Sequence, residues 1–157
     1  MKVTVSFLED QNACNSGIAK FEAIFRKQAE LKDIIQYGIK SKDKSNLLDC
    51  NWLIVRKMTH KQKIQYAIYA AEQVIKIYEK KYPNDDRPRK AIEAAKQILK
   101  NNNKKNRDAA AAYAAYTADA AYADAAADAA YAAAAAWIKL ETKILKYGLE
   151  LIYTNKE

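Results

Sequence analysis

Glycine, proline, histidine and cysteine are all scarce in this chain. Three glycines and two prolines among 157 residues leave little turn chemistry, which argues for long helices and against an all-β sandwich. Three scattered glycines also exclude a phosphate-binding P-loop and a G-x-G-x-x-G dinucleotide fingerprint. With a single histidine, His60, and no strand-turn-helix elbow, no Ser/His/Asp order is convincing, and no Cys/His metal site can be assembled. The two cysteines, Cys14 and Cys50, lie far apart among apolar residues. They read as buried free thiols, which suits a reducing cytoplasm. Residues 1–8 contain no apolar core of signal-peptide length, so no leader is expected. No catalytic residue, metal or cofactor is expected.

What is abundant is alanine. Within residues 109–136, 20 of 28 positions are alanine. Alanine is the best intrinsic helix former, so the stretch reads as one helix about 42 Å long at about 1.5 Å per residue. Its exceptions are four tyrosines (113, 116, 122, 131), Thr117, and Asp119, Asp124 and Asp128. Three aspartates argue against a membrane span, because each is costly at the bilayer centre. Asp124 and Asp128 share a helical face and read as solubilising groups or as partners of lysines. The stretch is expected to be a central post that neighbouring helices approach closely.

Net charge is +8 and uneven: residues 1–107 carry a balance of +11 and residues 108–157 a balance of −3. Either the front surface meets an anionic partner, or it is a lysine-rich solvated face.

The apolar pattern predicts an all-α, single-domain multi-helix bundle over residues 1–157 around the Ala-rich helix. Residues 1–11 alternate weakly and read as an extended arm or a first helical turn, without an obvious strand partner. Helices are predicted over 12–29, 31–37 and 46–58, with Gly17 at a close helix crossing and Gly38 as a C-terminal stop. The helix over 46–58 is apolar nearly all round and so is expected to be largely buried. Thr59 with Gln62 fits a capping box, opening a helix that runs to about 81. Residues 82–86 form a turn with Asp86 as candidate N-cap. Pro88 sits just inside a helix over 87–100. Residues 101–107 are a polar, basic connector. From Trp137 a thicker apolar pattern runs to about 153.

Two features point to binding. Arg56 and His60 flank the 58/59 junction, and Arg87, Arg89 and Lys90 start a helix, where free N–H groups and the dipole favour an anion. Tyrosines stand nearby, Tyr69 among them, able to stack a ring or line an interface. The candidate anion- or partner-binding residues are therefore Arg56, His60, Tyr69, Arg87, Arg89 and Lys90. Against this, Arg87 and Arg89 can equally pair with carboxylates such as Asp49, Glu72, Glu79 or Asp86. Three partner classes follow: an acidic protein effector, an anionic nucleotide in a basic, tyrosine-lined pocket, or a nucleic acid. No DNA- or RNA-recognition module is visible. Self-association into a homo-oligomer is left open.

Several segments carry a resemblance. They are Ala13-Cys14-x-x-Gly17-x-x-x-Phe21, Asn51-Trp52-Leu53 and Tyr66-Ala67-x-Tyr69-Ala70-Ala71-Glu72-Gln73-Val74. The most specific is Tyr78-Glu79-x-Lys81-Tyr82-Pro83-x-Asp85-x-Arg87-Pro88-Arg89-x-Ala91-Ile92-Glu93-Ala94-Ala95. Together with the Ala-rich stretch they resemble a bacterial immunity-protein family of polymorphic toxin systems. The resemblance implies a small all-α cytoplasmic protein that neutralises an effector by binding, without catalysis.

Overall fold

Val3, wholly buried, seats the start of the chain as a strand. The computed structural model describes residues 1–105 and 134–154. Along them run β1 (Lys2–Thr4), α1 (Val5–Asp10), α2 (Asn15–Phe25), β2 (Gln28–Glu30) and α3 (Leu31–Ser41). Then follow α4 (Lys44–Arg56), α5 (His60–Lys81), α6 (Arg87–Lys100) and α7 (Ala134–Thr154). The protein is all-α, and the two short strands form the one sheet among the described residues. Contacts group the chain into two compact units, Met1–Met58 with Glu141–Glu157, and Thr59–Leu140. The reading of 109–136 lies outside the described residues except for the last three, which open α7.

In the first unit, the N-terminal strand does find a partner. β1 pairs antiparallel with β2, placing Val3 opposite Ala29. The Met1 ammonium adds an ion pair to Glu30 at 2.5 Å. The partner comes from residues expected to be helical. The helix predicted over 12–29 is shorter, because Asn12 and Arg26 both take positive φ (56° and 61°), a region that non-glycine residues rarely adopt. Cys14 precedes the first turn of α2 as its N-cap, which leaves its thiol exposed rather than buried. Gly17 serves that same thiol: a Cβ there would lie 3.3 Å from Cys14 Sγ. The room is for the helix's own cap, not for a crossing helix.

Gly38 is likewise not a stop. α3 continues past it to Ser41, and Lys42 takes the left-handed conformation instead (φ 53°). Gly38 is buried because α4 packs against it. A Cβ there would collide with Cys50 Sγ and stand 3.3 Å from the Asn46 carbonyl oxygen. Asp43 then caps α4, accepting from the Asn46 amide at 2.9 Å. α4 is not buried all round: Leu47, Cys50, Leu53 and Ile54 face the core, whereas Leu48 is half exposed. Asp49 leaves the greasy face to pair with Lys20 at 2.6 Å. α7 passes Trp137 and Gly148 without a break and buries Ile144, Leu145, Leu151 and Ile152.

The second unit, over its described residues, is the hairpin of α5 and α6. Its core is Ile68, Ile75 and Ile92, with Ile64, Ala71, Ala95 and Leu99 packed against it. Each such isoleucine contributes about 1.5–3 kcal/mol by leaving water.

Two predictions follow from packing. Gly38→Ala forces α3 and α4 apart and destabilises the protein by about 1–3 kcal/mol, measured by urea unfolding. In a Cys50→Ala background the same change costs far less, since the obstructing sulfur is gone and alanine is the better helix former. An equal loss in both backgrounds would refute this packing account. Glu141 is a buried carboxyl whose pKa burial pushes up. A raised folded pKa means that stability falls as pH rises from the ordinary carboxylate value, about 4.3, through the folded value. Glu141→Gln therefore raises Tm at pH 7 and gives no gain below about pH 4. A lower Tm at pH 7 would contradict it.

Candidate functional site

Three of the basic residues singled out by the sequence, Arg87, Arg89 and Lys90, stand at the corner between α5 and α6. The local fold explains how. Thr59 accepts from the Gln62 amide and Gln62 returns a bond to the Thr59 amide, closing the capping box that starts α5. Twenty-two residues later α5 ends, where the Tyr82 amide donates to the Tyr78 carbonyl and the Asp85 amide to the Tyr82 carbonyl. Pro83 cannot continue the helix, and Pro88 fits the first turn of α6 without losing a needed donor.

Asp85 is the hub of that corner. Its Oδ1 accepts from the Arg87 amide at 3.1 Å and from Arg87 Nε at 2.7 Å. Its Oδ2 accepts from Arg87 Nη2 at 2.5 Å and from the Tyr78 hydroxyl at 2.8 Å. Asp86 occupies the N-cap position, but its side chain makes no cap bond; Asp85 does the capping from one residue earlier. The guanidinium of Arg87, then the Tyr78 hydroxyl, hold the Asp85 carboxyl well below the usual carboxylate range. The same bond raises the Tyr78 hydroxyl pKa.

Around the hub every candidate cation of α6 has a carboxylate. Arg89 bridges back to α5 through a two-pronged contact with Glu79, one prong at 2.6 Å, which lowers the Glu79 pKa. Lys90 pairs with Asp86 at 2.8 Å. Lys96 joins Glu72 of α5 at 3.0 Å and Glu93 at 2.9 Å. These groups are largely exposed, so each pair contributes little to stability. Their effect is geometric: planar guanidinium forks fix carboxylates in one orientation. Two aromatic rings back the corner, Tyr78 and Tyr82, with centroids 4.9 Å apart.

The remaining candidates sit elsewhere. Arg56 belongs to the first unit, stacked 3.6 Å over the Trp52 ring and donating to the Trp52 carbonyl oxygen at 3.2 Å. His60 is exposed at the start of α5, and Tyr69 is half-buried along it. Glu79, Tyr78 and Asp85 were not among the candidates, although all three stand in the Tyr78–Ala95 motif. Among the described residues no group of His, Cys, Asp and Glu is arranged to hold a metal ion. Among them, too, no helix is long and apolar enough to cross a membrane.

The pH response of the corner follows from its signs. Asp85 and Glu79 have depressed folded pKa values, so their contribution is present above the ordinary carboxylate range and is lost as pH falls through the folded values. Protection of the amides at 85–90, relative to their intrinsic exchange, should hold at pH 4 and fall only below it. Asp85→Asn should speed exchange at pH 7 and flatten that acid response. Unchanged exchange in the variant would show that Asp85 does not hold the turn.

Compared with curated proteins and with solved structures, the chain has no significant match. A family model does match, over residues 53–143, more than half of the chain and the whole α5–α6 hairpin with its ion-paired corner. The chain belongs to the family described as Imm-5 like putative immunity protein.

Proposed function

We propose that the protein is a non-catalytic binder of bacterial or phage conflict, which neutralises a protein effector by docking on it in the cytoplasm. The observation that carries this reading is the family match across the hairpin. Within that hairpin, Arg87 and Arg89 act as positioning residues: through Asp85 with Tyr78, and through Glu79, they tie α6 to α5 and so set the shape of a docking face, while Lys90 pairs with Asp86 at the start of its own helix. The face itself lies on α5. Val74 and Ile77, 40% and 72% exposed, stand three residues apart on one side of the helix. Lys76, Lys80 and Lys81 follow around them. An apolar centre with a basic rim suits an acidic partner surface that carries an apolar anchor. His60 and Tyr69 on the same helix are further contact candidates. An anionic nucleotide at the start of α6 would have to displace Asp85, Asp86 and Glu79 from their cations. A protein seated on α5 displaces none of them.

The test begins with tagged protein recovered from its native host after cross-linking. A captured protein should arrest growth when expressed alone and should be silenced when co-expressed with this chain. Ile77→Glu is expected to weaken that complex at least about tenfold while leaving Tm unchanged. A capture set in which no protein is toxic, or toxicity that co-expression does not relieve, would remove the proposal. A millimolar nucleotide panel that raised Tm would favour the small-ligand alternative instead.

A further inference from the structure

The first unit holds a cavity of about 410 Å³, a size typical of small-molecule sites, roughly 300–1,000 Å³. It opens among α2, α3 and α4, and all but one of its lining residues precede the segment matched by the family model. The inference drawn from it therefore stands apart from the immunity reading.

Its walls are rings and aliphatic chains: Phe21, Ile24, Phe25, Trp52 and Leu53. The rings already show the geometry that aromatic guests adopt. Phe21 and Phe25 lie 5.5 Å apart and tilted, and Phe25 meets Tyr37 edge-on at 5.6 Å. Tyr37 and Leu48, 40% and 48% exposed, also line the space, so the apolar surface is contiguous rather than scattered.

Charge decides what enters. The cavity's two charged groups, Lys20 and Asp49, are paired with each other at 2.6 Å. The Lys20 ammonium also donates to Ser45 Oγ at 2.8 Å. An anion would compete with Asp49 for the lysine, and a cation would compete with Lys20 for the carboxylate. A neutral ring disturbs neither and gains the apolar burial. We propose that this cavity is a binding site for a small neutral aromatic molecule, of indole to naphthol size, seated against Phe21, Phe25 and Trp52.

The chain supplies its own reporter. Cys14 lines the cavity with an exposed thiol, whose contact with Ser16 lowers its pKa. Cys50 is buried, and burial pushes its thiol up to about 12. A thiol-disulfide reagent at neutral pH therefore reads Cys14 selectively.

The experiment titrates full-length protein with 2-naphthol and, separately, with naphthalene-2-sulfonate, following Tm and the rate of Cys14 modification. The expected result is a Kd on the order of 0.1 mM for 2-naphthol, with severalfold protection of Cys14 at saturation and at least about tenfold weaker binding of the sulfonate. Ile24→Trp, which fills the space, should abolish protection. If that variant fails to fold, the comparison of the two probes on wild-type protein decides alone. No effect at about 1 mM 2-naphthol, binding without protection of Cys14, or equal binding of the sulfonate would each overturn the proposal.

Discussion

One carboxylate sets the direction of the chain at the turn between α5 and α6. Asp85 receives the Tyr78 hydroxyl from α5 and both the backbone amide and the guanidinium of Arg87 from α6. Three isoleucines supply the burial that keeps the two helices together, but apolar contact has no preferred angle. The forks of Arg87 on Asp85 and of Arg89 on Glu79 are directional, and they choose which way α6 returns along α5. The exposed Val74 and Ile77 inherit their presentation from that choice.

The corner also shows why a cluster of basic residues at a helix start need not be an anion site. The positive end of α6 does attract negative charge, and the chain provides it from within, through Asp85 and Asp86. Arg87 neutralises Asp85 and Lys90 neutralises Asp86 in turn. What remains outward is a nearly charge-balanced corner beside an exposed apolar pair on α5.

Helix boundaries were legible where a local device marks them. Thr59 with Gln62 announces α5, and Pro88 with the acidic turn announces α6; both helices begin as those signals require. β2 was illegible because Gln28–Glu30 carries no apolar alternation and forms only by pairing with β1, 26 residues away in register. Gly38 misled because a glycine says that a Cβ is absent, not whether backbone twist or the Cys50 sulfur demands the absence. Asp85 and Asp86 are adjacent in sequence, and only the turn geometry decides which carboxylate caps. Pairing of Arg87 and Arg89 with carboxylates was legible as one of two alternatives, and Glu79 stood among the partners offered, but Asp85, which holds Arg87, did not. The apolar cavity was legible only as separate helix faces: three faces must meet before a volume between them exists.

The central claim is that the Arg-Pro-Arg corner shapes the protein and does not itself touch the partner. A charge swap tests it most directly: Glu79→Arg, Arg89→Glu and the two combined, each assayed for amide exchange across the corner and for neutralisation of the captured effector. The account predicts that each single change speeds exchange and weakens neutralisation and that the combination restores both, because the fork is rebuilt in reverse. A swapped protein that regains slow exchange yet fails to neutralise would contradict the account and make Arg89 a contact residue.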